Sequence, residues 1–246
     1  MKTQVAIIGG GPAGLLLSEI LHKNGIESVV LERRSRAYVL GRIRAGVLEE
    51  GSVNVLCENG VGERLLREGH VHDGAQLVWA GRDSFFIDCY KEAGKRFTTY
   101  GQTQVQEDLF VAADRRKAIV LDEATDVMPM DVTTDHPFVT FKHRGVSLRL
   151  DCDFVAGCDG KLGVSRTVIP ADKQKFYEKV FPFGWLGVLS ETPPIEHLTY
   201  ANHPRGFALA SMRHSMLSRY YIQVPLDNRI EDWPDDRFWE ELKARY

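Results

Sequence analysis

Apolar positions along this chain fall in short runs, and the first run opens the most informative stretch of the sequence. Val5 to Ile8 is four apolar residues in a row, the pattern of a strand buried on both faces. Gly9, Gly11 and Gly14 follow at GxGxxG spacing, and a helical pattern then runs through Leu15, Leu16, Leu17, Ile20 and Leu21. Pro12 suits the first helical turn, and Asn24-Gly25 supplies a stop. Val29 to Leu31 reads as the second strand, so the chain opens with a βαβ unit. Val47 to Cys57 and Val61 to Arg67 are expected as two short helices with Gly60 between them. Gln76 to Trp79 and Phe85 to Asp88 flank Ala80-Gly81-Arg82-Asp83 as a hairpin. A helix over Thr103 to Ala113 and a strand over Ala118 to Leu121 come next.

Phe138 to His143 and Val146 to Leu150 alternate around Arg144-Gly145 and predict a second hairpin, which leads into an apolar strand ending at Asp159-Gly160. Beyond Pro170 the runs Gly184 to Leu189, Phe207 to Met212 and Arg219 to Val224 are strand-like and are broken by turn-rich TPP and NHPRG. Pro234 to Tyr246 is helical in pattern. The expected fold class is α/β: a Rossmann-like βαβ domain and a second domain built on an antiparallel sheet.

Composition narrows the function classes. With 246 residues the chain is long enough for one large or two smaller domains. Its 31 basic and 34 acidic residues leave a formal charge of −3, which gives no electrostatic case for nucleic acid or an anionic membrane. No apolar run approaches a membrane span, and the N-terminus does not read as a signal peptide, so a cytoplasmic protein is expected. Cys57, Cys89, Cys152 and Cys158 form no CxxC pair, and the eight histidines show no ligand spacing; no metal is expected, and the cysteines read as reduced, mostly buried packing residues.

The chemistry concentrates at two places. In the GxGxxG turn the first glycine permits the tight turn, the second lets a pyrophosphate approach the backbone, and the third lets helix and strand pack closely. Glu32, at the end of the second strand, is placed to accept hydrogen bonds from a ribose; it would repel a 2′-phosphate, so the site suits FAD or NAD better than NADP. Arginines 33, 34, 36, 42 and 44 crowd the loop leaving that strand end, and Asp159-Gly160 is either a turn or part of a site. The second place is the last hairpin. Ser211 and Arg213 are two apart on one strand, as are Arg219 and Tyr221 on the next, and an odd-numbered loop from His214 to Ser218 would put all four on one face. Such a set is either a carboxylate clamp or the polar outer face of an amphipathic hairpin.

Longer motifs carry a resemblance. GGGPAG, LERRSRAYVLGRIRAGVLE, YGQT at Tyr100 to Thr103, DFVAGCDG, FPFGWLG, and YANHPRGFAL followed by SRYYIQVPL together resemble the 4-hydroxybenzoate 3-monooxygenase family of flavoprotein aromatic hydroxylases, from Met1 to the last helix. The resemblance implies that FAD is held by Gly9, Gly11, Gly14, Glu32, the loop Arg42, Ile43, Arg44, Ala45, Gly46 and Val47, and Gln102. It implies that both FAD and the nicotinamide cofactor meet Asp159, and that Arg33, Tyr38 and Arg42 meet NADPH. The family often has a histidine two residues after its DG motif where this chain has Lys161-Leu162, so NADH stays open as the co-substrate.

On the substrate side, the resemblance implies that Ser211, Arg213 and Tyr221 bind a benzoate carboxylate, that Arg219 lies near the flavin, and that Tyr200 meets the phenolic oxygen and acts catalytically. The implied reaction is hydroxylation of 4-hydroxybenzoate to 3,4-dihydroxybenzoate with NADPH and O2, by a homodimer when full length. The implied domains are residues 1–71 and 98–175 for FAD and residues 72–97 and 176–246 for substrate. Members continue past the last helix with a second FAD motif of GD type, a proline and a second tyrosine. Both domains are therefore expected to be incomplete here, and these 246 residues alone are expected to bind FAD weakly or not at all, with some affinity for its ADP half, and not to hydroxylate. A non-catalytic nucleotide-binding fragment and a hydroxylase of a related phenol are the alternatives.

Overall fold

A computed structural model of the protein describes residues 1–42 and 44–246; Ile43 lies outside the described residues. In chain order the first elements are β1 (Val5–Ile8), α1 (Pro12–Lys23), β2 (Ser28–Leu31), α2 (Arg36–Leu40), β3 (Val47–Glu49), α3 (Glu50–Glu58) and α4 (Glu63–Glu68). They are followed by β4 (His70–His72), β5 (Gly74–Trp79), β6 (Phe85–Asp88), α5 (Cys89–Ala93), β7 (Phe97–Thr99), α6 (Gln102–Arg115) and β8 (Ile119–Leu121). Then come β9 (Thr125–Met130), β10 (Phe138–His143), β11 (Val146–Asp151) and β12 (Phe154–Gly157). The last are β13 (Phe183–Ser190), β14 (Leu198–Asn202), β15 (Ala208–His214), β16 (Leu217–Pro225) and α7 (Asp235–Lys243).

The chain divides into two compact units, the first made of Met1–Ala45, Asn54–Leu65 and Gln102–Phe176, the second of Gly46–Val53, Leu66–Gly101 and Tyr177–Tyr246. In the first unit a four-stranded sheet of order β12-β1-β2-β8 is parallel throughout. Such a sheet needs cover on both faces. One face buries Ala6, Ile8, Val29 and Leu31 against Val139, Phe141 and Leu150 of the antiparallel sheet β11-β10-β9. Helix α1 packs on β2 and α6, and the two helices are tied by Arg116, which donates to Glu19 Oε2 and Ser18 Oγ, both at 2.7 Å.

The second unit holds a six-stranded sheet of order β13-β16-β15-β14-β5-β6 and a small antiparallel sheet β3-β7-β4. One face of the large sheet is sealed by α7, whose Phe238 and Leu242 pack with Ala201, Ala208, Ile222 and Val224. The large sheet is antiparallel except where β14 runs parallel to β5, so the 76–88 hairpin is an integral edge of it. Val47 to Glu49, expected as the start of a helix, is strand β3, because these residues pair with Thr99 to Phe97 of β7. Among the cysteines only Cys152 is buried, contrary to the expectation for most of them; all four are free thiols. Among the described residues no helix is long and apolar enough to cross a membrane, and no cluster of three or more His, Cys, Asp or Glu could hold a metal ion.

Candidate functional site

In the first unit two glycines of the turn, Gly9 and Gly14, have the backbone roles that their spacing predicts. Gly9 has φ +107°, a conformation open to glycine, and a Cβ there would collide with the Cys158 carbonyl at the end of β12. A Cβ on Gly14 would collide with the Gly9 carbonyl, so only glycine lets α1 start this close to β1. Gly11 has open space where a Cβ would stand. Gly10, an unspecified position in the motif, is also required: its Cβ would lie 2.7 Å from Glu32 Cβ. Glu32 accepts from Gly10 N–H and Arg34 N–H, each at 2.8 Å. A carboxylate has about four acceptor sites, so capacity for a ribose remains.

A cleft of about 790 Å³ opens beside this turn. Gly9, Gly11, Pro12 and Glu32 line it, with Gln102, Thr103 and Gln106 from the start of α6 and Asp159 after β12. Two helix N-termini thus border one cavity, the arrangement that favours an anionic group. Arg33, Tyr38, Arg42 and Arg44 line the same cleft. The stretch expected as a basic loop contains helix α2, capped by Ser35 Oγ accepting from Tyr38 N–H at 3.3 Å. Arg34 and Arg42 flank the Tyr38 ring at 5.0 and 5.7 Å, whereas Arg36 is turned to Asp114 at 2.7 Å. Ala45 is held at its carbonyl, which accepts from Gln102 N–H at 2.9 Å. Asp159 Oδ2 accepts from both Ser165 N–H and Ser165 Oγ, at 2.9 and 3.0 Å, which fixes the carboxylate. Burial, and then the neighbouring Asp159, push the Cys158 thiol up.

The second unit gathers the other residues on the sheet face opposite α7. Tyr200 pairs with Leu209, Leu209 with Tyr221, and Tyr221 with Gly187, so these four form one row across β14, β15, β16 and β13. Ser211 pairs with Arg219 two residues further along, hence on the same face. The turn between β15 and β16 is Ser215-Met216, not a five-residue loop, and the register shifts between Met212 and His214. Arg213 therefore sits in a β-bulge, where strict alternation no longer applies. The bulge still brings its guanidinium to Arg219 and Tyr221, and against Gly46, whose Cβ would collide with Nη1. Burial, and then the like charge of Arg219, hold Arg213 below the usual guanidinium range, while Tyr221 acts the other way. An anion between these two cations would relieve their repulsion.

Ser211 Oγ donates to the Arg219 carbonyl at 3.4 Å, a long bond that a carboxylate would outcompete. Arg219 lies over the Tyr221 ring at 4.6 Å. Val47 is exposed on β3. Burial pushes the Tyr200 phenol up, so this side chain is a neutral hydrogen-bonding group. Two aromatic residues without an expected role complete the face. Phe207 lies between Tyr200 at 5.9 Å and Trp185 at 4.9 Å, and Trp185 reaches Tyr221 at 5.8 Å. Both stand within the FPFGWLG and YANHPRGFAL motifs, but only the strand register shows that they join the two tyrosines.

The family described as FAD binding domain matches residues 2–246. The chain belongs to that family. It is 50% identical over 247 residues to p-hydroxybenzoate hydroxylase of Acinetobacter baylyi (strain ATCC 33305 / BD413 / ADP1), an alignment covering 100% of this chain and 61% of that protein. It is 38% identical over 84 residues to 6-methylpretetramide 4-monooxygenase of Streptomyces rimosus, covering 32% of this chain and 19% of the relative. Among solved structures, p-nitrophenol 4-monooxygenase PnpA from Pseudomonas putida DLL-E4 superposes with TM-score 0.80 at 18% identity, over 99% of this chain and 63% of that one. PqsL of P. aeruginosa in complex with 2-aminobenzoylacetate gives TM-score 0.76 at 18% identity, over 92% and 61%. At those identities the structures bear on fold alone. The chain thus spans 61% of the length of that curated relative, and its family binds FAD; the open space at Gly11 and the two helix N-termini of the cleft fit a diphosphate.

Proposed function

We propose that the protein acts as an FAD-dependent hydroxylase converting 4-hydroxybenzoate to 3,4-dihydroxybenzoate with NADPH, or NADH, and O2. The observation that carries this reading is the cross-sheet register that puts Tyr200, Ser211, Arg219 and Tyr221 on one face, with Arg213 re-aimed beside them. A guanidinium pair with a hydroxyl and a phenol binds a carboxylate, and the aromatic wall of Trp185 and Phe207 suits a flat ring. The 50% identical relative, named a p-hydroxybenzoate hydroxylase, supports the choice of substrate.

In this reading Gly9, Gly11 and Gly14 shape the diphosphate site, Glu32 holds the adenosine ribose, and Gln102, Arg42, Arg44, Ala45 and Asp159 complete the FAD contacts. Arg33 and Tyr38 meet the nicotinamide cofactor. Bound FAD supplies the oxygen-activating chemistry. The chain's own residues bind the carboxylate, exclude water with the aromatic wall, and accept a hydrogen bond from the substrate phenol at Tyr200 Oη, which polarises that O–H bond and makes the ring more electron-rich. The reading includes a cytoplasmic protein, as expected from the sequence, that is a homodimer when full length.

The test is calorimetric titration of the protein with 4-hydroxybenzoate and with 4-hydroxybenzaldehyde, which has the phenol and lacks the carboxylate. Preference for the acid by at least about tenfold is expected, the size of one charge-assisted hydrogen bond. Equal affinity would show that these residues do not clamp a carboxylate.

A further inference from the structure

The FAD cleft contains a buried side chain that no motif assigns. Gln106 is 3% exposed on α6, and its Nε2 donates to the Gly10 carbonyl at 2.8 Å, across 96 residues of chain. On the other side of the same residue, Gly10 N–H donates to Glu32 Oε2 at 2.8 Å. The two peptide units flanking Gly10 are therefore fixed from opposite ends, one by Glu32 and one by Gln106.

The second of these units decides where an anion can bind. The chain has no cis peptide among its described residues, and in a planar trans unit the C=O and the following N–H point in opposite directions. Holding the Gly10 carbonyl on Gln106 therefore aims the Gly11 N–H away from Gln106; Gly11 itself lines the cleft, and nothing stands within 4 Å of where its Cβ would be. A Gly-Gly unit left unheld turns easily, because glycine has little steric preference. Turned over, it would present a carbonyl oxygen, an acceptor, to a phosphate. A carboxamide suits this position because it donates a hydrogen bond and carries no charge.

We propose that Gln106 is a positioning residue for the diphosphate of the cofactor, presetting the Gly10–Gly11 peptide so that Gly11 N–H meets phosphate oxygen. The proposal rests on the FAD reading of this cleft and adds to it a residue outside the GxGxxG motif. It predicts an effect on ligands with a diphosphate and none on the adenosine end.

The test uses the 246-residue protein, with FAD and ADP titrated calorimetrically and adenosine followed by ligand-observed NMR. Gln106→Leu should bind ADP and FAD about tenfold more weakly, the loss expected for one hydrogen bond to a charged group, with adenosine unchanged. Unchanged ADP affinity, or equal weakening for adenosine and ADP, would overturn the proposal. Gln106→Glu decides the matter if the leucine variant does not fold. A protonated carboxyl donates to the Gly10 carbonyl and a carboxylate does not, so its ADP affinity should fall relative to wild type as pH rises from about 5 to 8, where a buried carboxyl ionises. A pH profile matching wild type would overturn it. A wild-type protein that binds neither FAD nor ADP would instead contradict the FAD reading, and this proposal with it.

Discussion

Gly187 and Tyr221 face each other across the β13–β16 ladder, and a Cβ on Gly187 would stand 2.6 Å from Tyr221 Cε1. The phenol ring therefore lies over the glycine, where Arg219 covers it in turn at 4.6 Å. Gly187→Ala is expected to displace this ring and weaken 4-hydroxybenzoate by about tenfold, since the Tyr221 hydroxyl would lose the place at the carboxylate that the proposed function gives it. In a Tyr221→Ala background the same change should cost nothing further. Additive losses by titration would mean that Gly187 acts some other way.

Arg213 is predicted to be irreplaceable by lysine. Its guanidinium is half-buried and pressed on Gly46, and a lysine offers no planar fork at that depth. Arg213→Lys should raise the dissociation constant for 4-hydroxybenzoate about ten- to a hundredfold, equivalent to about 1.5–3 kcal/mol. An unchanged constant would take Arg213 out of the site.

Tyr200 lies at the other end of the row from Gly187 and is kept neutral by burial. Tyr200→Phe should leave substrate affinity within about twofold, because the carboxylate is held elsewhere, yet lower the yield of hydroxylated product per NADPH consumed. The missing product should appear as hydrogen peroxide. A parental ratio of product to NADPH would show that another group activates the ring.

Acid sensitivity is predicted for the second unit. His72 is 8% exposed, stacks on Phe97 at 5.3 Å, and its Nε2 has no hydrogen-bond partner among the described residues. Burial, with the nearby His70 and His197, holds its imidazole below the ordinary histidine range, against a smaller opposing effect of Asp73. Between the ordinary value of about 6.5 and the lowered one, the unfolded chain binds a proton that the folded chain does not. Stability is thus fully present above about pH 6.5 and is lost as pH falls through the lowered value. His72→Phe should flatten the dependence of the melting temperature on pH below 6.5, and a slope equal to wild type would exclude His72 as its source.

The first unit was largely legible because its signals are local. A buried strand, two motif glycines that the backbone geometry requires, Gly9 and Gly14, and an acidic residue at the next strand end all lie within Val5 to Glu32. Three features of the second unit were hidden for physical reasons. Strand β14, which carries Tyr200, is the short mixed run LTYAN, and its partner β5 is more than a hundred residues earlier, so no local alternation announces it. The bulge at Arg213 is a property of pairing, invisible in one strand alone. Val47 to Glu49 continues the apolar pattern of the helix after it and becomes a strand only because β7 is there to pair with. Strand β9, in the first unit, is no more visible; it contains Pro129, which argues against a central strand, and it indeed lies at an edge of its sheet. Gln106 gives no signal at all, since a buried amide bonding a carbonyl 96 residues away leaves no periodic trace.

The proposed function assigns a nucleotide cleft to one unit and a carboxylate-binding face to the other. The most direct measurement is the product formed when the purified protein in full-length form, holding FAD, is given NADPH, O2 and 4-hydroxybenzoate, with NADPH oxidation recorded in parallel. The expected result is that 4-hydroxybenzoate accelerates NADPH oxidation and that 3,4-dihydroxybenzoate accumulates in proportion. Oxidation that is indifferent to 4-hydroxybenzoate, with no 3,4-dihydroxybenzoate formed by protein shown to hold FAD, would contradict the proposed function.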